Sequence, residues 1–600
     1  MHRPKRWSIA DPDPRAAELA ARLKTSPLLA QVLLNRGVAE PQACQDFLRP
    51  SLKGLADPAL IPNLRTAADR VARAIRDREK VVVYGDYDVD GITATAILWH
   101  AIRTLGGEVD YYIPHRIDEG YGLNAEALGQ ICDEGAKVII SVDCGITAVE
   151  QAKVPCARGV DLIVTDHHEW HTRSTGDQSR EGEEHGLVAR ATTEPDLPEC
   201  FTVVHPRLPG STYPNPSLCG AGVAFKLAWG IGLAVSGADK VSAEFRAFLV
   251  EATALAALGT IADVVPLVGE NRILTHFGLG GLKQSNLKGI QALIASANLA
   301  GQTLDSYHVG FLLAPRLNAC GRMGHAREAV EMLTKADESR ANEIALYLEK
   351  KNRERQAMER NILEQALAQV AERGYDKEEC RAIVLGADGW HPGVIGIVAS
   401  RLVDRLHRPT VMIATTNGHG QGSGRSIPGF HLAHALEACG EHLDAFGGHE
   451  MAAGLKIQTP RLDDFRAAFC DHATRVMSDD LLTAELKLEG LAELNVLTEA
   501  LVKDLKRLGP FGHGNRKPLL CCRNLTVAGP PRRVGKTGDH LQLFVKQGSA
   551  TMKCIAFNSA SLYDRLTTGT QVDLAVEPQI NEWQGRTSVE LEVKDLQFSA

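Results

Sequence analysis

Residues 81–91 read VVVYGDYDVDG, an apolar run that stops at three aspartates, Asp86, Asp88 and Asp90. An uninterrupted Val-Val-Val-Tyr suits a strand buried on both faces. In extended chain, positions i, i+2 and i+4 share one side, so three like charges face the same way and require a cation in front of them. The D-x-D-x-D-G spelling matches the opening of an EF-hand loop. That match fails at the twelfth position, Ile97, where a bidentate Glu is needed, and the preceding residues are strand-like instead of helical.

Outward from this stretch the chain alternates. An apolar-periodic helix spans 91–104, followed by strand VDYYIP, helix NAEALGQICDEG, strand KVIISVD, helix ITAVEQA and strand DLIVTD. The pattern predicts a parallel sheet with helices on its faces. Ligands in such sheets bind beyond the carboxyl ends of the strands. Asp88 and Asp90 follow the first strand, Asp143 ends KVIISVD, and Asp166-His167-His168 ends DLIVTD, so all gather at one sheet edge. Oxygen and imidazole donors together suit Mn²⁺, Mg²⁺ or Zn²⁺. So many carboxylates need more than one divalent charge, and a two-metal site with ions about 3.5–4 Å apart is the economical solution. Asp263, between the apolar runs of ATALAALGTIADVVPLVG, is costly to bury unless paired or bound to metal.

At 600 residues the chain exceeds a single core, and three or four domains are expected. The expected segments are an N-terminal helical piece (1–60), the α/β unit just described (61–335), a long connecting helix (336–374), a second α/β unit (375–480) and a β-barrel (485–600). Residues 169–196, polar and poor in large hydrophobes, read as a mobile surface insertion. The 336–374 run has no Pro or internal Gly before Gly374, and its charges read as a solvated face. The second unit carries RAIVLGADGW, GVIGIVASRLVDRL, PTVMIA and the glycine-rich GHGQGSGRSIPG. PLLCCRNLTVAG, HLQLFVK, TMKCIAF, QVDLAVEPQI and SVELEVKDL give five period-2 strands, the content of an OB-fold barrel.

Composition excludes several classes. Hydrophobic residues make up 44% and charged residues 23%, and 13 cysteines form no C-x-x-C pair, so neither a zinc ribbon nor a disulfide framework is expected. Reduced thiols, the absence of an apolar leader and an apolar stretch shorter than the roughly 20 residues of a membrane span point to a cytoplasmic chain with no membrane partner. The net charge of −8 gives no basic footprint for nucleic acid, although it does not report a local groove. GPPRRVGKT imitates a Walker A loop but has five residues between its glycines and runs into a strand, which excludes ATP binding. No coiled-coil seam is visible, and a monomer is expected.

YGDYDVDGITA, SVDCGIT, VTDHHEW and GTIADVVPL closely resemble the four motifs of the DHH phosphoesterase superfamily. FLLAPRLNACGRMGHAREA, WHPGVIGIVASRL, GSGRSIPGFHL, FGGHEMAAG and LGPFGHGNRKP extend the resemblance to the RecJ family of single-strand-specific 5′→3′ DNA exonucleases. The resemblance implies a parallel-sheet DHH domain, a long helix, a smaller α/β DHH-associated domain and an OB-fold. It implies two divalent ions, Mn²⁺ or Mg²⁺, held by Asp86, Asp88, Asp90, Asp143, His167 and Asp263, with His168 beside them and Asp143 bridging. Family members with pyrophosphatase activity carry a histidine where this chain has Tyr84, and Asp86 is the implied substitute. Arg116, Ser423 and Arg425 are implied contacts of a 5′-phosphate, Arg316, Asn318 and Arg322 contacts of substrate phosphates, and His391 and His449 cleft residues. Arg532, Arg533, Lys536, Trp583 and Arg586 would bind single strands on the barrel, with Phe544 equally suited to core packing. The implied activity releases 5′-mononucleotides in DNA repair and recombination, with a helicase and a single-strand-binding protein as partners. The alternatives are a DHH phosphodiesterase of oligoribonucleotides or cyclic dinucleotides and a non-catalytic replication scaffold. Two departures stand out: His205-Pro206-Arg207 replaces the family's Asn-Pro-Arg, and the 169–196 insertion is long.

Overall fold

The structure is a computed structural model that describes residues 5–115, 119–174, 193–323 and 325–599. The chain divides into two compact units, Pro50–Arg353 with Pro510–Arg516, and Met1–Arg49 with Glu354–Gly509 and Lys517–Ala600.

The first unit is built on the expected sheet. Strands β1 (Val81–Gly85), β2 (Val109–Tyr112), β3 (Val138–Val142), β4 (Asp161–Thr165) and β5 (Thr202–Val204) are all parallel, in the order β2-β1-β3-β4-β5. Every residue of β1 is buried, which is why it reads as an unbroken apolar run. The chain leaves β1 in one direction and returns beyond it to β3, so the β1–β3 boundary is the switch point at which such sheets open a crevice. Asp86–Asp90 follow β1 and Asp143 follows β3. The β5 strand, TVV, is too short to carry a period and was not anticipated.

Three helices cover the face behind the aspartates. Helix α1 (Val89–Thr104) packs against α2 (Gly220–Ser236) and α3 (Ala243–Ala262). Among the described residues α3 is the helix long and apolar enough to cross a membrane, longer than the apolar stretch read from sequence. Its Ala254–Leu258 residues are fully buried, however, which is the setting of a core helix. Helix α4 (Ala314–Met323) follows a π-helical turn at His308–Leu313. Residues 175–192 of the expected insertion lie outside the described residues, and the flanks His171–Ser174 and Thr193–Asp196 pair antiparallel.

Helix α5 (Glu338–Arg373) is the expected long helix, closed by Gly374 at φ 69°. The expectation that its charges form a solvated face holds only in part. Asn352, Arg355 and Glu359 are buried, and Glu359 joins Arg355 (3.0 Å) to Arg401 (3.1 Å). A charged pair at i, i+4 looks the same in sequence whether it faces water or a neighbouring helix.

In the second unit, β6 (Ile383–Asp388), β7 (Thr410–Thr416), β8 (His419–Arg425), β9 (Ala445–Gly448) and β10 (Ala452–Gln458) form a sheet ordered β9-β10-β8-β7-β6. Helix α6 (Pro392–Leu406) packs on β7 and β8. The barrel has six strands, one more than anticipated: β11 (Leu520–Val527), β12 (Arg532–Val534), β13 (His540–Gln547), β14 (Ala550–Ala556), β15 (Gln571–Trp583) and β16 (Arg586–Phe598). The order β11-β15-β16-β14-β13-β12 is closed by a β11–β13 pairing, the device that removes free edges. The three-residue β12, which was not anticipated, lies within the false Walker segment, and the residues after that segment run through a turn into β13 as expected. The N-terminal helices Ala16–Leu23, Pro27–Asn35 and Pro41–Leu48 are preceded by a strand, Arg6–Ile9, parallel to Glu485–Leu488. That strand is fastened by the Trp7 indole N–H, which donates to Asp595 at 2.7 Å.

Candidate metal centre

Four of the five acidic ligand candidates are fixed by a local feature of the chain. Asp88 caps α1, its Oδ1 accepting the N–H groups of Asp90 (2.9 Å) and Gly91 (3.1 Å). Asp90, in the first turn of α1, is 1% exposed and faces the start of α2, where it accepts from Gly220 N–H (2.5 Å) and Ala221 N–H (2.9 Å). A carboxylate at a helix N-terminus meets two unsatisfied donors and the positive end of the dipole. Asp143 ends β3 in the left-handed region at φ 61°, a conformation that costs about 1 kcal/mol. Its backbone is pinned by a 3.1 Å bond from its N–H to Thr165 O. Asp263 is the residue that terminates α3.

These elements bring distant residues together. The ligand atoms of Asp90, His167 and Asp263 lie within 4.8 Å of one another, as do those of Asp143, His167 and His168 and those of Asp86, Asp88 and Asp143. The groups share Asp143 and His167. His167 Nε2 is 3.0 Å from Asp143, 3.7 Å from Asp263 and 3.8 Å from Asp90. β3 lies between β1 and β4, so Asp143 occupies the central position expected of a shared ligand.

Charge balance tests whether this set fits metal. Burial, then Asp90 and Asp88, push the Asp143 carboxyl well above its ordinary range. Burial, again with Asp90 and Asp88, raises Asp263 to about 8. Burial also raises Asp90, only partly offset by His167. Burial lowers His167 to about 4, leaving a neutral imidazole able to ligate. Carboxylates crowded in this way require divalent charge to ionise together, and hard oxygens with imidazole suit Mn²⁺ or Mg²⁺. The surroundings leave no slack. A Cβ on Gly220 would lie 2.7 Å from Asp143 Cβ, and one on Gly259 would lie 2.4 Å from Asp90 Oδ1.

Asp166 acts differently from the other strand-end acids. It accepts from Ile146 N–H (2.9 Å), His167 N–H (2.7 Å), His168 N–H (3.1 Å) and His168 Nδ1 (2.8 Å). Burial would raise its carboxyl, but these bonds and the His168 charge hold it at about 2. Burial would likewise lower His168, yet the Asp166 bond and charge raise it to about 9. Tyr121 Oη lies 3.3 Å from His168 Nδ1 and 3.4 Å from Asp143 O. Neither the Asp166 clamp nor the Gly220–Ala221 donors could be read from the sequence, because Asp looks alike as clamp and as ligand.

The domains match known families in order: the N-terminal domain of the DHH family over residues 80–260, the DHHA1 domain over 379–474 and the RecJ OB domain over 488–595. The single-stranded-DNA-specific exonuclease RecJ of Bacillus subtilis (strain 168) is 36% identical over 99% of this chain and 71% of its own length. The enzyme of that name from Escherichia coli (strain K12) is 32% identical over 97% of each. The chain belongs to the RecJ family. A crystal structure of RecJ in complex with Mn²⁺ from Thermus thermophilus superposes with a TM-score of 0.81 at 30% identity, covering 99% of this chain and 80% of that one. The corresponding Mg²⁺ complex gives a TM-score of 0.76 at 29% identity.

Tyr84, where pyrophosphatase-type relatives carry histidine, and the departure at His205 each have a local setting. Tyr84 is fully buried, and its Oη is taken up by backbone, donating to Gly122 O (3.1 Å) and accepting from Asn124 N–H (3.2 Å). Burial raises its phenol. His205 Nδ1 accepts from Arg207 N–H (3.0 Å), which leaves Nε2–H to donate to His168 O (2.9 Å), and Arg207 Nη2 reaches His167 O (2.5 Å). An asparagine also offers one donor and one acceptor, so His205 can replace the family residue in holding the double histidine.

The remaining predicted residues fall into distinct settings. Arg116 lies outside the described residues. Asn318, on α4, accepts from Val89 N–H (3.1 Å) and so anchors the first turn of α1; Arg322 lies one turn further on. Arg316 is on the same helix, α4. Its Nη2 pairs with Glu349 of α5 (2.8 Å) and its Nη1 bonds Leu312 O (2.5 Å), so without substrate the guanidinium already has protein partners.

In the second unit, His391 caps α6 through Gly393 N–H (3.0 Å), and Arg425 Nη1 donates to Ser423 Oγ (3.1 Å). Gly396 admits both groups, since a Cβ there would lie 2.8 Å from Ser423 Oγ and 3.0 Å from Arg425 Nη2. His449 is exposed at the β9–β10 turn. On the barrel Arg532, Arg533, Lys536 and Arg586 are exposed, and the Trp583 side chain lies outside the described residues. Phe544 is 44% exposed on β13, which settles its orientation toward the surface. Phe557 and Tyr563, the latter under Arg533 at 4.9 Å, are exposed too and were missed because they sit between strands.

Proposed function

We propose that the chain is a single-stranded-DNA-specific exonuclease that hydrolyses phosphodiester bonds from the 5′ end. The observation that carries this reading is the three overlapping donor groups at one sheet edge, sharing Asp143 and His167. Asp90, His167 and Asp263 would hold one divalent ion, Asp86 and Asp88 the other, with Asp143 between them. When bound, the ions supply an acidified water and stabilise charge on the attacking and leaving oxygens.

The chain's own groups orient that chemistry. The Gly220 and Ala221 N–H groups aim the Asp90 carboxylate, and the Asp166 carboxylate fixes the His168 ring. His168, charged near neutral pH and holding Asp166 through Nδ1, has Nε2 as the atom from which to give a proton to the leaving 3′-oxygen. Ser423, Arg425 and the first turn of α6 form a group suited to a terminal 5′-phosphate, combining a hydroxyl, a planar fork and a helix N-terminus. Capture of that end gives the reaction its direction. Asn318 and Arg322 would contact substrate phosphates. The exposed barrel cations with Phe544 would bind the strand by charge and stacking.

A retained donor set argues against a scaffold, and a barrel with exposed aromatics exceeds the needs of a dinucleotide substrate. The same reading makes the protein a cytoplasmic monomer that is supplied with single strands by a helicase and a single-strand-binding protein. Addition of either partner is expected to raise digestion of a duplex with a 5′ tail. The decisive experiment is digestion of 5′- or 3′-labelled single strands with Mn²⁺ beside a blunt duplex. Release of labelled mononucleotide at once from the 5′-labelled strand, an intact duplex and an inert Asp143→Ala variant are expected. Digestion from the 3′ end, or activity retained in Asp143→Ala, would refute the reading.

A further inference from the structure

The π-helical turn His308–Leu313, preceded by Tyr307, presents two large aromatic rings to solvent. Tyr307 is 57% and Phe311 65% exposed, and the rings stack on one another with centroids 4.9 Å apart and planes 27° from parallel. Exposed rings of this size on a folded chain mark a contact surface more often than chance. π-Helical turns are rare and concentrate at functional sites. The turn is also held in place. His308 Nδ1 is 2.6 Å from Asp305, and Val309 and Leu313 are fully buried beneath it.

Its position ties it to the metal centre. A Cβ on Gly310, between the two rings in sequence, would lie 3.7 Å from Ile261 of α3. Asp263 follows two residues later, about 3 Å of helix rise. The turn runs directly into α4, where Asn318 holds the first turn of α1 and a Cβ on Gly321 would lie 2.4 Å from Tyr87 O. The aromatic pair and the carboxylate cluster are therefore joined by two rigid helices on the same unit.

We propose that Tyr307 and Phe311 form a stacking platform for bases of the strand beside the scissile phosphate. This inference rests on the nuclease reading above and names positioning residues that neither the motifs nor the donor set contain. A base stacked on the pair positions its phosphate through the same two helices that carry Asp263 and Asn318. Stacking accepts every base, in keeping with an enzyme that must consume any sequence, and demands unpaired bases, in keeping with a single-strand substrate.

The test compares a 5′-phosphorylated strand with one in which the first four nucleotides are abasic, for the wild type, Tyr307→Ser/Phe311→Ser and the conservative Tyr307→Phe/Phe311→Trp. The double serine variant is expected to raise KM on the natural strand about tenfold or more. On the abasic strand it should match the wild type, and the aromatic variant should restore KM on the natural strand. An unchanged KM on the natural strand, or an equal rise on both strands, would overturn the platform. A wild type inert on the natural strand would instead overturn the nuclease reading itself.

Discussion

Replacing Gly220 by alanine adds one methyl group at the start of α2, where the metal centre is packed most tightly. The new Cβ would sit 2.7 Å from Asp143 Cβ and 2.8 Å from its Oδ1, against the 3.4 Å at which ordinary contact begins. Asp143 must therefore move by about 0.7 Å, or α2 must retreat and lengthen the 2.5 Å bond from Gly220 N–H to Asp90. Misplacement of about 1 Å costs on the order of 10²-fold in rate, so kcat should fall about 10–100-fold. Stability should change far less, since alanine favours helix over glycine by up to about 1 kcal/mol and local overpacking costs about 1–3 kcal/mol. The assay is release of 5′-label under saturating Mn²⁺, with Mn²⁺ titration and thermal unfolding of the same samples. Wild-type kcat and Mn²⁺ affinity in a folded Gly220→Ala protein would refute the claim that this helix start aims the ligands.

Four further expectations follow from the structure. Mn²⁺ affinity should rise with pH up to about 8, where Asp263 loses its proton, by about tenfold per unit for each proton displaced; calorimetric titration at pH 6, 7 and 8 showing no dependence would contradict the raised carboxyl. The stability of the metal-free protein should carry the opposite sign. A carboxyl raised in the fold favours folding at low pH, and that contribution is lost as pH climbs from about 4 toward 8. His205→Asn should keep activity within a few-fold while His205→Leu loses it, because only the former can hold His168 O; equal activity in both would remove the clamp. Gly396→Ala should erode the preference for a 5′-phosphorylated over a 5′-hydroxyl strand, measured as a ratio of KM values, since its Cβ meets Ser423 and Arg425.

The sheet and the cluster of acids and imidazoles at its edge were legible because their signals are local and periodic. The unbroken β1 run, the strand-end acids and the helix-spaced segments each follow from how a parallel sheet is buried. β5 escaped because three residues carry no period, and the strand Arg6–Ile9 because its partner lies more than 470 residues away. Among site residues, Asp143 and His167 could be foreseen, whereas the Gly220 and Ala221 donors could not: backbone N–H groups carry no side-chain signature. Arg316 and Glu349 show the converse, since a sequence marks a charge but not the partner that absorbs it.

The central claim is that Asp86, Asp88, Asp90, Asp143, His167 and Asp263 together trap a pair of ions. Anomalous diffraction at the manganese edge from Mn²⁺-soaked crystals tests it most directly. Two peaks about 3.5–4 Å apart, both within bonding distance of Asp143, are the expected result. A single peak, or manganese bound away from Asp143 and His167, would contradict the account.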